Sequence, residues 1–141
     1  MIHKFFVLPA IMAGMAACHP GASRSQSVPV PARAPSSAPG ELWRPENYTR
    51  DSTYTRGTYL KDIVVVLFRP DAPQAQRQAA VDAVAGRVVG GRPFRDGDGY
   101  YFVRVPGNGD PRVLFEAIGV LKALPQVLSA TPEYVDAGLR N

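Results

Sequence analysis

An α+β fold with elements in the order β-α-β-β-α-β is what this sequence predicts, on three observations. Four short runs are rich in β-branched and aromatic residues, two amphipathic stretches separate them in the right places, and turn or cap residues punctuate every junction. The first run, Ile63 to Phe68, is continuous and apolar and stops at Arg69-Pro70, as a central strand does. Asp71 is expected to cap the helix that follows, with Pro73 in its first turn. That helix puts Ala80, Val81 and Val84 on one face and ends at Gly86. Arg87 to Arg92 forms a second strand, weakened by Gly90 and Gly91, and Asp96-Gly97-Asp98-Gly99 turns the chain into a third, Tyr100 to Val105. Asn108-Gly109-Asp110-Pro111 repeats the stop-and-cap chemistry and opens a second helix, with Val113, Leu114, Ala117, Ile118 and Leu121 inward and Lys122 in its last turn. Pro125 closes it, and Val127 to Thr131 is the fourth strand. Two right-handed crossovers joined by a hairpin give the ferredoxin-like split fold, an antiparallel four-stranded sheet with both helices on one face. The other face is left bare, and a bare face needs polar residues or a partner.

Upstream of this domain, which spans residues 60–135, the chain changes character three times. Residues 1–17 read as a secretion signal: Lys4, an apolar run from Phe5 to Met15, then Ala16 and Ala17 before Cys18. The run is too short to span a bilayer. Residues 18–41 are mostly Pro, Ala, Ser and Gly, interrupted by Arg24, Gln26 and Arg33 and with no aromatic residue, and read as a tether, about 70 Å at full reach if its proline-rich part stays extended. Residues 42–59 carry Trp43, Tyr48, Tyr54 and Tyr59 without a clean period and are expected to be irregular. Residues 136–141 form a short tail.

Met15-Ala16-Ala17-Cys18 resembles the lipobox of bacterial lipoproteins, with Met where Leu is usual. The resemblance implies that Cys18 is the lipid attachment site, diacylated, made the first residue by cleavage and acylated again. An ordinary signal peptide with a Cys near its cleavage point is the alternative. A lone Cys in an exported chain has no internal disulfide partner, and acylation would consume it. Several acyl chains hold far more firmly than one, at about 0.8 kcal/mol per buried methylene. His19 follows where lipoproteins retained in the inner membrane typically carry Asp, which points to the periplasmic face of the outer membrane.

With Lys4 removed from the 16 basic residues, 15 stand against 12 acidic ones, a net +3 that is scattered along the chain rather than gathered on one helix. That excludes a nucleic-acid footprint. The two histidines, His3 and His19, and the single Cys lie outside the domain, which removes His-based and Cys-based nucleophilic catalysis and any metal site built on those ligands. Asp96 and Asp98 lack the later ligands of a calcium loop, and Gly90-Gly91 leads into no helix that could cradle a phosphate. No catalytic residue, metal or cofactor is expected, and the chain reads as a non-enzyme.

From Ile63 to Tyr134 the domain resembles the propeptide/inhibitor family of subtilisin-like serine proteases. The carriers are Val64-Val65-Val66-Leu67-Phe68-Arg69-Pro70, Arg87-Val88-Val89, Tyr100-Tyr101-Phe102-Val103-Arg104-Val105-Pro106 and Val127-Leu128-Ser129-Ala130-Thr131-Pro132-Glu133-Tyr134. In that family the open sheet face packs on two helices of the protease and the C-terminal tail enters its substrate cleft. Strand alternation that buries Val64, Val66, Phe68, Tyr101, Val103 and Val105 turns Val65, Leu67, Tyr100, Phe102 and Arg104 toward such a partner. The alternative is that residues 42–59 half-cover them. The resemblance implies that Glu133 and Asp136 cap the protease helices and that Leu139 falls near the specificity pocket; a frayed terminus is the plain alternative for the tail. The chain stops where a protease domain would begin, and the anchor and tether depart from the family pattern. Three functions follow as expectations: a membrane-tethered inhibitor or folding helper of a subtilisin-like protease in trans, an envelope interaction module with another partner, or the remnant of a truncated protease.

Overall fold

The computed structural model describes residues 28–36 and 39–135. It is α+β, an antiparallel sheet of five strands with two helices. The strands are β1 (Tyr48–Thr49), β2 (Tyr59–Phe68), β3 (Arg87–Arg92), β4 (Tyr100–Arg104) and β5 (Val127–Tyr134); the helices are α1 (Gln74–Ala83) and α2 (Pro111–Lys122). Val64, Val65 and Val66 of β2 pair with β4 along one edge and with β5 along the other, and β4 pairs in turn with β3. The four long strands therefore lie in the order β5-β2-β4-β3, and the two-residue β1 pairs with the start of β2 through Tyr48↔Leu60 and Thr49↔Tyr59.

β2 starts four residues earlier than its apolar run suggests. Asp62 has φ +58, the pairing with β5 shifts there, and the charged Lys61-Asp62 step hides the continuation from a pattern search. A short polar side chain tolerates this left-handed backbone where it finds local hydrogen bonds. Both carboxylate oxygens of Asp62 accept the Gly109 N–H, at 2.9 and 3.0 Å, and its carbonyl accepts the Val105 N–H.

Both helices lie on one sheet face. Ala80 and Val81 of α1 and Leu114, Ile118 and Leu121 of α2 share a core with Val64, Val66, Phe68, Tyr101, Val103 and Val105, the strand positions that alternation assigned to the helix side. α2 begins as expected, with the Asp110 carboxylate accepting the Arg112 N–H and Pro111 in the first turn. Asp71 does not cap α1. The helix starts at Gln74 behind Pro73, which has no side-chain cap, and Pro73 holds Ala72 out of the helical region, leaving Asp71 too far upstream to reach the first turn.

The expected tether shows the largest departure. Val30 is fully buried and Ala34 nearly so, in the same core as the helices. Gln78 Oε1 accepts the Val30 N–H at 2.7 Å, Gln74 Nε2 donates to the Val30 carbonyl, and the Ala34 N–H donates to Asp98 O. Arg77, buried on α1, donates to the carbonyls of Ala72 and Ala32 and to the Tyr101 hydroxyl, and forms an ion pair with Asp98 at 2.6 Å. Residues 28–36 are thus a strap on the domain rather than free chain. Gly91, expected only to weaken its strand, is where the strap passes: a Cβ there would meet Tyr100 O at 2.5 Å and the Ala34 Cβ at 3.0 Å. In the β3–β4 turn Gly97 and Gly99 take the positive φ that the motif requires, +127 and +91.

Candidate binding face

Directly opposite residues on antiparallel strands share a face, so the pairs Val65↔Phe102, Val65↔Thr131 and Leu67↔Ser129 put all five side chains on the side away from the helices. That outer face was expected to be uncovered. Over β2 and β4 it is not: Val65 is 7% exposed and Phe102 1%, in a second core with Leu42, Leu60 and Ile63. The cover is the chain's own segment, which makes two 3₁₀ turns at Gly40–Trp43 and Pro45–Asn47 before β1. Leu42 is its anchor and Trp43 meets the Phe102 ring edge-on, with centroids 6.2 Å apart. Cross-braces hold the cover in shape. Asn47 Nδ2 donates to Glu41 O, the Tyr48 hydroxyl to Trp43 O, and Lys61 Nζ to Glu46 O. A residue type that buries well, placed in a segment too rich in Pro and polar residues to show a period, closed the surface.

The β5 half of the face stays open. A groove of about 860 Å³ runs there, lined by Val65, Ser129 and Thr131 of the sheet, by Trp43 and Tyr48 of the cover, and by Tyr134 and Val135 where β5 ends. Arg92 of β3 crosses the face above Phe102, its guanidinium carbon 5.2 Å from the ring centroid, and pairs with Glu133 of β5 at the groove. The pair ties the outermost strands together over the sheet.

Placed one by one, the expected partner-binding residues divide. Val65 and Phe102 are internal. Leu67 and Tyr100 are half-buried, the latter with its ring against Phe94, and Arg104 is exposed. Glu133 is 5% exposed and committed to Arg92, so it is not an exposed acid waiting for a helix of another protein. Cys18, Asp136 and Leu139 lie outside the described residues. Arg92, Ser129 and Thr131 were missed, although alternation from Val65 through the fourth strand could have flagged the last two; Trp43 and Tyr48 carried a signal as aromatics in a segment with nothing else to pack.

Three further carboxylates serve the fold: Asp98 holds Arg77, Asp110 holds Arg112, and Asp62 holds the Gly109 N–H. Burial raises the pKa of the Tyr59 and Tyr101 hydroxyls, with Arg77 opposing the rise at Tyr101. Among the described residues no helix is long and apolar enough to cross a membrane. No family model, no curated protein and no solved structure matches the chain.

Proposed function

We propose that this chain is a non-catalytic, protein-binding module of the bacterial cell envelope, anchored through lipid on Cys18, that takes an extended peptide segment of its partner into the groove beside β5. The observation that carries this reading is the incomplete cover: the chain spends Leu42 and Trp43 on closing half of the sheet face and leaves an aromatic-walled groove over the other half. A groove of this size, with aromatic walls and a few hydroxyls, fits the usual build of a site that grips one or two side chains and orients them by hydrogen bonds. The strand order β5-β2-β4-β3 with both helices on one face fits a ferredoxin-like split fold to which β1 has been added.

Selection of displayed random peptides on the full chain tests the groove. Enriched peptides should share one aromatic or aliphatic position, and Thr131→Arg, which fills the groove from an exposed strand position, should abolish their binding. Selection that is indifferent to Thr131→Arg would remove the reading.

A subtilisin-like protease as the partner is the second reading, favoured by the same strand order and by the run from Val127 to Tyr134. The cover over Val65 and Phe102 weighs against docking by the whole sheet face. Slowed peptide hydrolysis by subtilisin-like proteases at micromolar chain, lost with Thr131→Arg, would support it; no effect on any of them, including one encoded beside this chain, removes it. Mass spectrometry of the mature N-terminus, with Cys18→Ser as control, tests the anchor.

A further inference from the structure

Arg87 of β3 and Arg104 of β4 are direct cross-strand partners, so both side chains rise from the outer face on the β3–β4 side of the sheet, outside the groove lining, with Cβ atoms about 5 Å apart. Like charges directly opposite one another are destabilising in a sheet. Three other arginines, Arg77, Arg92 and Arg112, each hold a carboxylate. Arg87 and Arg104 have no such partner among the described residues, and both are exposed. The one acid that shares their hollow is Asp62, and its two oxygens already accept the Gly109 N–H. Asn108 also lines the hollow, and Lys61 lines an adjoining one together with Arg104, Asn108, Asp62 and Glu46, so three cationic side chains and an amide donor gather at this corner against two carboxylates.

We infer that Arg87 and Arg104 form a binding site for a phosphate-type oxyanion. Each guanidinium presents a planar fork of N–H donors matched to two oxygens of a tetrahedral anion, and two forks rising side by side can hold one such anion between them. Binding turns a repulsive pair into a bridged one. A single side chain lost from the pair removes charge-assisted hydrogen bonds that are together worth a tenfold or larger change in affinity. The site is separate from the groove, and its test does not depend on what the groove binds.

The experiment follows the arginine Nε–Hε signals of the full chain carrying Cys18→Ser, which removes any acyl anchor, during titration with inorganic phosphate at constant ionic strength held by chloride. The Arg87 and Arg104 signals should shift together and saturate, while those of exposed Arg44 and Arg56 stay put. Arg87→Gln should weaken the response of Arg104 by roughly tenfold or more. Because it also relieves the like-charge pair, it should leave Tm in phosphate-free buffer unchanged or higher, which checks the fold. Water-soluble dihexanoyl phosphatidate then separates two sources of the same chemistry. Binding at least tenfold tighter than phosphate assigns a lipid headgroup, equal binding assigns a soluble phosphate ester, and either supports the site. Uniform shifts of all exposed arginines, or an Arg104 response that survives Arg87→Gln, would overturn it.

Discussion

Replacing Arg77 with Met keeps length and bulk on α1 but removes the charge that clamps the strap. The side chain is 7% exposed and donates at 2.9 Å to Ala72 O, at 3.0 Å to Ala32 O and at 3.3 Å to the Tyr101 hydroxyl, with Asp98 at 2.6 Å. Removing one partner of a buried pair costs about 3–5 kcal/mol. Asp98 is 27% exposed and regains water when stranded, which puts the loss near the lower end, about 3 kcal/mol. For a domain of this size each kcal/mol moves Tm by about 4–8 °C, so a fall of roughly 12–24 °C is expected. Thermal and urea unfolding measure the size of the effect, and amide exchange locates it. The Val30 and Ala34 N–H groups, bonded to Gln78 and Asp98, should lose protection before the amides of β2 do. A fall of less than about 1 kcal/mol with both strap amides still protected would refute the clamp.

Tyr59→Phe should stabilise the fold by about 1 kcal/mol in urea unfolding, because the Tyr59 hydroxyl is buried without a hydrogen-bond partner among the described residues and such a group costs about 1–3 kcal/mol. Burial, and then the nearby Asp51, raise the pKa of that hydroxyl above the ordinary tyrosine value, so its contribution is complete below that value and is lost as pH rises through the raised one; Tyr59→Phe should therefore flatten the alkaline loss of stability and remove one late tyrosine from an absorbance titration. Leu42→Ala should cost about 2–3 kcal/mol and expose Val65 and Phe102, read as binding of an apolar dye that the parent chain does not bind. The side-chain hydrogen bond from Arg112 holds the Asp110 carboxyl below its ordinary value. The contribution of this cap is present above the ordinary carboxylate pKa and lost as pH falls through the lowered one, and carbon NMR titration of Asp110 should show that midpoint move up in Arg112→Ala.

The strands and helices were legible because period and punctuation agree in them. Val64, Val66 and Phe68 alternate with Val65 and Leu67, and Asp110-Pro111 both caps and starts α2, so local chemistry and tertiary packing ask for the same structure. Asp71 misled because a capping residue type stood one proline away from the place where it could act. The strap was hidden, and the cover was legible only as an alternative, for a different reason: each depends on one or two apolar anchors, Val30 and Ala34 or Leu42, set among Pro and polar residues, and so short a set has no period. Their long-range partners, Gln78 and Arg77 for the strap and Phe102 for the cover, reside in elements that pattern reading treats as finished. The outer face was therefore assigned to the right residues and the wrong environment, since alternation says which way Val65 points and nothing about what comes to meet it.

A photoreactive amino acid at position 131, in the groove, and another at position 116, on exposed α2, make the decisive comparison in cells that carry the full chain. A crosslinked adduct is expected from position 131 that is lost with Trp43→Ala and whose fragments map to one contiguous segment of the partner, with nothing comparable from position 116. Equal adducts from both positions, or none from position 131, would contradict binding in the groove.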